Sequence, residues 1–175
     1  MSVSALFLVA PVARIAAFTA GTPPMGFSTW NSFRCGFDAS VLRQTAALMV
    51  SSGLRDSGYV YLNMDDCWML SGANRTHNGT GPQVADPAKF PANDTLPMLI
   101  AHVHSLNLKF GLYTARSRTT CQRLAGSCQH EEVDAAAWSA MGVDYVKDDS
   151  CGRCRTNSSG ESLVWPGAFF WIGRC

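Results

Sequence analysis

Apolar and polar positions along this chain form short blocks that predict strands followed by helices. Apolar runs of strand length lie at residues 25–30, 59–64, 109–113 and 144–147. Apolar side chains at helical spacing occupy the stretches between them, at residues 41–54, 96–106 and 131–141. Strand, loop and helix repeated in this order indicate an α/β fold with a parallel sheet.

Two stretches depart from this pattern. Residues 71–93 are polar and glycine-rich, which predicts a long loop. Beyond Cys154, residues 155–160 are serine-rich, and residues 163–172 gather aromatic side chains with neither a helical nor an alternating period. We therefore predict that strand–helix units stop after about the fourth strand. Residues 155–175 are then a divergent tail.

Acidic doublets end two of the predicted strands. Asp65 and Asp66 precede Cys67, and Asp148 and Asp149 precede Ser150 and a second cysteine. A single aspartate at a strand end usually caps a turn or a helix. In parallel α/β folds, however, the carboxyl ends of the strands carry the chemistry, so several carboxylates at one edge favour a shared site.

Composition and charge exclude some function classes. The chain has 175 residues, 47% of them hydrophobic and 15% charged, which is typical of one folded globular domain. Its formal net charge of +1 provides no strongly basic patch or acidic tail. We therefore predict no nucleic-acid partner.

Cysteines and glycosylation sequons indicate an oxidising compartment. Seven cysteines are many for a cytosolic protein of this size. Four Asn-x-Ser/Thr sequons begin at Asn74, Asn78, Asn93 and Asn157. The apolar run at residues 4–10 is typical of a short signal peptide, predicted over residues 1–21, and is too short to span a membrane. We predict a glycoprotein that is secreted or resides in a lysosomal or vacuolar lumen.

The sequence evidence for a metal site or a redox motif is weaker. Cys151 and Cys154 have the spacing of a redox or zinc motif, but the chain has no matching second pair. His102 and His104 are two positions apart on a predicted helix and therefore face different directions. We predict neither a metal site nor a cofactor.

Separate motifs spread over residues 22–152 resemble one enzyme family. They include Met25-Gly26-Phe27 with Trp30-Asn31, Asn63-Met64-Asp65-Asp66-Cys67-Trp68, Phe110-Gly111-Leu112-Tyr113 and Asp144-Tyr145-Val146-Lys147-Asp148-Asp149-Ser150-Cys151. In order and spacing they resemble glycoside hydrolase family 27, the α-galactosidases and α-N-acetylgalactosaminidases. The resemblance implies a (β/α)8 TIM barrel, with residues 22–154 as its N-terminal half.

The resemblance also implies an activity and a set of site residues. Members of the family remove terminal non-reducing α-D-galactose or α-linked N-acetylgalactosamine, and they retain the configuration at the anomeric carbon. Asp149 resembles the family's catalytic nucleophile, and Asp65 and Asp66 resemble the pair that binds the 4- and 6-hydroxyls of the sugar. The remaining predicted substrate-binding residues are Trp30, Tyr113 and Lys147.

The same resemblance assigns four of the cysteines. It implies disulfides between Cys35 and Cys67 and between Cys121 and Cys151, which would tie loops at the catalytic face. It offers no counterpart for Cys128, Cys154 and Cys175.

Two departures from the family leave alternatives open. Asp148 replaces a residue that is commonly aromatic, and strand alternation predicts that it faces the helix layer, where a carboxylate costs stability. The family's acid/base aspartate lies on a later strand, so we assign no residue to that role. A chain without it is expected to hydrolyse no aryl α-galactoside.

Three functions therefore remain. The first is an α-galactosidase of which the chain is a part. The second is a short galactose-binding product without catalysis. The third is an α-N-acetylgalactosaminidase. The oligomeric state also stays open, with a homodimer as one arrangement.

Overall fold

The computed structural model describes residues 23–70, 72, 74–76, 79–154 and 170–171. The signal peptide predicted over residues 1–21 lies outside the described residues. So does the predicted tail at 155–175, apart from the backbone of residues 170–171.

A parallel sheet forms the centre of the fold. Its strands are β1 (Gly26–Ser28), β2 (Tyr61–Asn63), β3 (Lys109–Ala115), β4 (Tyr145–Asp149) and β5 (Phe170–Trp171). They lie side by side in chain order, and every neighbouring pair is parallel. Strands that are added in sequence with helical crossovers are the arrangement found in a (β/α) barrel.

Three of the four helices in the described residues agree with the predicted ones, with end shifts of up to three residues, and the first helix was not predicted. The four helices are α1 (Trp30–Phe33), α2 (Ala39–Ser51), α3 (Leu96–Ser105) and α4 (Glu131–Met141), with a 3₁₀ turn at Arg55–Ser57. The Asp38 carboxylate accepts a hydrogen bond of 2.9 Å from the Val41 amide and so caps α2. Gly142, with φ of 84°, ends α4 in the left-handed conformation that glycine adopts without strain.

One prediction about the strands needs correction. The first strand ends at Ser28 rather than at Trp30, and Trp30 begins α1 instead. Beyond β4, the described residues add only a short fifth strand, in which Phe170 and Trp171 pair with Val146 and Lys147. Two residues are too few to produce an alternating pattern, so the sequence carried no signal for β5.

The two faces of the sheet differ in polarity. The outer face packs its apolar residues against the helices, and this core includes Leu62, Phe110, Leu112 and Val146 from the strands and Leu42, Met49, Leu99, Val103 and Trp138 from the helices. Each fully buried large side chain contributes roughly 1.5–3 kcal/mol. The inner face is more polar. At Gly111 a side chain would overlap the Asn63 amide of the neighbouring strand.

Three disulfides join loops at the carboxyl edge of the sheet. They link Cys35 to Cys67, Cys121 to Cys151 and Cys128 to Cys154. Such crosslinks fit an extracellular or lumenal protein. Within the described part of the chain, no helix combines the length and apolar character needed to cross a membrane.

Candidate active site

Carboxylates from two strands meet at the carboxyl edge of the sheet. Asp65 and Asp66 directly follow β2, and Asp149 ends β4. All three side chains are buried, with 1–4% of their surface exposed. The Thr29 hydroxyl accepts a hydrogen bond of 2.9 Å from the Asp65 amide, which ties the end of β2 to the segment after β1. Sequence reasoning missed Thr29, because a buried hydroxyl that accepts from a backbone amide leaves no motif.

Tyr113 holds the carboxylate of Asp149. Its hydroxyl donates to Asp149 Oδ2 at 3.0 Å, and the Ser150 amide donates to Oδ1 at 2.7 Å. Burial, together with the charges of Asp66 and Asp149, raises the pKa of Tyr113 far above its usual value. The phenol therefore stays protonated and remains a donor to the carboxylate.

Lys147 links β4 to the first acidic doublet. Its Nζ lies 2.8 Å from Asp65 Oδ2 and 5.0 Å from the centre of the Tyr113 ring. Lys147 and Asp149 are two positions apart on one strand, so they lie on the same face of the sheet. The ion pair therefore joins the end of β2 to the face of β4 that carries Asp149.

Asp66 is held by backbone amides. Its Oδ1 accepts from the Cys67 amide at 2.7 Å and its Oδ2 from the Gln122 amide at 3.1 Å. Burial raises the pKa of Asp66, and these hydrogen bonds, with one from Thr120, act in the opposite direction. Gln122 contributes only its backbone here, so its residue type carried no signal in the sequence.

A cavity of about 330 Å³ opens on the inner face of the sheet, within the size range of small-molecule sites. Asp65 and Lys147 line it together with Ser28, Asn63 and Tyr145. Trp30 is half-buried at the start of α1, at the same edge of the sheet. All six predicted site residues therefore lie at the carboxyl edge, and hydrogen bonds, an ion pair and a ring contact connect Asp65, Lys147, Tyr113 and Asp149.

A family model described as alpha galactosidase A matches residues 22–164. The chain belongs to this family. An α-galactosidase from Cyamopsis tetragonoloba is 44% identical over an alignment of 161 positions, which covers 88% of this chain and 38% of the relative. A probable α-galactosidase from Dictyostelium discoideum is 41% identical over 153 residues, or 87% of this chain and 38% of the relative.

Solved structures of the α-galactosidase family agree with the fold. Alpha-galactosidase I from Mortierella vinacea superposes with a TM-score of 0.69 at 35% identity, over 80% of this chain and 33% of that chain. The α-galactosidase of Saccharomyces cerevisiae solved with raffinose has a TM-score of 0.70 at 33% identity, over 80% of this chain and 29% of that chain. The predicted barrel class is confirmed, and the chain spans about 38% of the length of the two relatives named above.

One disulfide lies beside the nucleophile candidate of this α-galactosidase-family chain. The Cys151 sulfur lies 3.3 Å from the Tyr113 hydroxyl, and the Cys121 sulfur lies 4.0 Å from Asp149 Oδ2. Both sulfurs belong to one disulfide, so neither offers a thiolate to a metal ion. Cys151 and Cys154 pair with different partners, so in the structure they form neither a redox dithiol nor half of a zinc site.

Asp148 lies on the opposite face of β4 from Asp149 and is 6% exposed. Its Oδ2 is 3.7 Å from Arg116 Nε, and its Oδ1 has no hydrogen-bond partner among the described residues. Burial raises the pKa of Asp148 to about 6, the nearby charges of Asp149 and Glu131 add to this, and Arg116 opposes it. The folded chain therefore binds a proton at Asp148 more tightly than the unfolded chain does.

We expect Asp148 to make the folded state less stable as the pH rises. The unfolded carboxyl titrates near pH 4 and the folded one near pH 6. Its stabilising contribution is thus present below about pH 4 and is lost as the pH rises through about 6, an effect on the order of 2–3 kcal/mol. The free energy of unfolding of Asp148→Asn should equal that of the parent at pH 4 and exceed it at pH 7.

Urea unfolding of both proteins between pH 4 and pH 7.5 measures this difference. Asp56→Asn is the matched control, since the side chain of Asp56 is 68% exposed. If the free energies of unfolding of the parent and Asp148→Asn differ by the same amount at every pH, the pKa of Asp148 is not raised in the folded chain.

Proposed function

We propose that this chain carries the nucleophile and the galactose-binding part of the active site of a retaining α-galactosidase. The substrates would be glycolipids and oligosaccharides with terminal non-reducing α-D-galactose. One observation carries the proposal: the Asp149 carboxylate, held by Tyr113, lies on the same face as the Asp65–Lys147 ion pair. The names of the relatives support it, since those from Cyamopsis and Dictyostelium are an α-galactosidase and a probable one.

In the first chemical step, a carboxylate oxygen of Asp149 forms a bond to the anomeric carbon of galactose. The glycosidic C–O bond breaks, and the departing oxygen keeps the electron pair and takes a proton from a general acid. In the second step, water attacks the same carbon, loses a proton to the base and releases Asp149. Two inversions leave the configuration retained. The hydrogen bond from Tyr113 and that from the Ser150 amide orient the attacking carboxylate.

The other site residues recognise the sugar in this proposal. Asp65 and Asp66 accept hydrogen bonds from the galactose 4- and 6-hydroxyls, and Lys147 donates to neighbouring hydroxyls. Charged acceptors reject an epimer that leaves them unpaired. Trp30 and Tyr113 provide apolar surface for the ring. A general acid about 5 Å from the nucleophile is also needed, and we assign that role to no residue of this chain.

A galactosyl fluoride tests the nucleophile without the general acid, because fluoride leaves without a proton. We expect 5-fluoro-α-D-galactosyl fluoride to add one fluorogalactosyl group to the chain, located by peptide mass spectrometry on Asp149. Asp149→Asn should remain unlabelled and Asp148→Asn should be labelled. Labelling at another residue would overturn the nucleophile assignment. The same holds for a chain that binds galactose but is not labelled by the fluoride. A chain that binds neither galactose nor the fluoride has no galactosidase site.

The α-N-acetylgalactosaminidase alternative is not favoured by the relatives named above. A solved structure from Bacillus halodurans, described as a putative α-N-acetylgalactosaminidase, is 17% identical and so shows only a shared fold. We therefore keep galactose as the proposed sugar.

We further propose that the chain enters the secretory route and acts outside the cell or in a lysosomal or vacuolar lumen. Three disulfides support this. Asn74 and Asn93 are exposed and are the proposed N-glycosylation sites of the described part, while Asn78 and Asn157 lie outside it. We also propose a signal peptide at residues 1–21 and assembly as a homodimer. Loss of mass on treatment with an N-glycosidase tests the glycosylation.

A further inference from the structure

Two loops beside the nucleophile are strongly basic. We call residues 116–130, after β3, and residues 150–154, after β4, the basic rim. The basic rim has no aspartate or glutamate and contains the arginines Arg116, Arg118, Arg123 and Arg153. The whole chain has a net charge of only +1, so this positive charge is local to one edge of the sheet.

The basic rim is fixed against the candidate active site. The Gln122 amide donates to Asp66, and Cys151 contacts the Tyr113 hydroxyl at 3.3 Å. Two disulfides, Cys121–Cys151 and Cys128–Cys154, join its two loops. The charges of the rim are therefore held beside the sugar-binding residues by covalent crosslinks.

Three of these arginines are free to bind an anion. Arg118, Arg123 and Arg153 are exposed, and none has a carboxylate within 4.0 Å among the described residues. Arg116, by contrast, pairs with Asp148. The arginines on the other elements that form ion pairs are Arg43, Arg55 and Arg75. Four described arginines therefore have no ion pair with another described residue: these three, in the loops that contact Asp66 and Tyr113, and Arg34, which follows α1.

We propose that the basic rim selects α-galactosides bearing a sulfate or carboxylate group on the unit next to the terminal galactose. This inference rests on the proposed function, which places galactose between Asp149 and the Asp65–Asp66 doublet. An anionic group on the 4- or 6-hydroxyl of the galactose itself would meet those carboxylates and be repelled. The neighbouring unit leaves the pocket towards solvent, where planar guanidinium groups bind sulfate and carboxylate oxygens in a bidentate manner.

Binding of three matched disaccharides to the full chain tests the proposal. The probes are melibiose, melibionate with its carboxylate, and melibiose sulfated on the glucose unit. By calorimetry at about 20 mM salt, we expect both anionic probes to bind roughly 3- to 10-fold more tightly than melibiose. At about 0.5 M salt the ratio should approach one, because exposed charges are then screened.

Variants assign the preference to the basic rim. The triple variant Arg118→Gln/Arg123→Gln/Arg153→Gln should lose the anionic preference, while Arg55→Gln, in the 3₁₀ turn before β2, should keep it. Melibiose binding without an anionic preference overturns this inference and leaves the proposed function standing. If the triple variant still binds the anionic probes more tightly than melibiose, the preference does not come from these arginines. Binding of no probe overturns the proposed function and this inference with it.

Discussion

Replacing Asp149 with asparagine should remove catalysis while leaving the fold and sugar binding intact. Asparagine has nearly the same shape as aspartate, so it can still accept a hydrogen bond from Tyr113, but it cannot form the glycosyl ester. In a longer form of the chain that hydrolyses an aryl α-galactoside, we expect kcat to fall by roughly 10⁴-fold or more. Steady-state kinetics and galactose affinity, measured on the same samples, separate the two effects.

Asp148→Asn is the matched control, since it makes the same chemical change one residue earlier. Strand alternation places Asp148 on the helix side of β4, paired with Arg116 instead of contacting Tyr113. Its kcat should stay within a few-fold of the parent at acidic pH. Retained turnover in Asp149→Asn would remove Asp149 from the nucleophile role.

Replacing Arg75 with methionine should cause a large loss of stability. Arg75 and Asp134 have side chains that are 5% and 0% exposed, with the guanidinium 2.7 Å and 2.8 Å from the two carboxylate oxygens. Asp134 Oδ1 also accepts a hydrogen bond from the backbone amide of Gln83, so the ion pair anchors the long loop after β2 to α4. Removing the cation leaves a buried charge without its partner, and we expect the free energy of unfolding to fall by about 3–5 kcal/mol.

Arg43→Met provides the contrast. Arg43 also binds a carboxylate, that of Asp94, but their side chains are 29% and 24% exposed. We expect a loss of about 1 kcal/mol or less in urea unfolding followed by tryptophan fluorescence. The double variant Arg75→Met/Asp134→Leu, which removes both charges, should recover much of the stability. If Arg75→Met and Arg43→Met lose equal stability, burial is not the cause.

Local patterns in the sequence were enough to predict four of the five described strands, three of the four described helices and the edge of the sheet at which the candidate site lies. Apolar spacing predicted the helices α2, α3 and α4, and α4 matches its predicted bounds of residues 131–141. Aspartates placed after apolar runs predicted a shared edge, because parallel strands bring their carboxyl ends together. The four cysteines assigned by resemblance are paired as it implied.

Contacts between distant segments could not be predicted in this way. Arg75 and Asp134 are far apart along the chain, and nothing in the sequence around either residue announces a buried ion pair. The disulfide between Cys128 and Cys154 and the two-residue strand β5 likewise depend on which segments the fold brings together.

The sequence by itself therefore determined the order of strands and helices, the family and the residue types offered to the site. Only the tertiary structure decided which of these groups are buried, which form ion pairs and which form hydrogen bonds with one another. Periodicity and residue type act over a few neighbouring positions, whereas burial and pairing depend on distances in space. That is why Asp148 and Asp149, adjacent in sequence, have different surroundings: Asp148 pairs with Arg116, and Asp149 accepts a hydrogen bond from Tyr113 in the candidate active site.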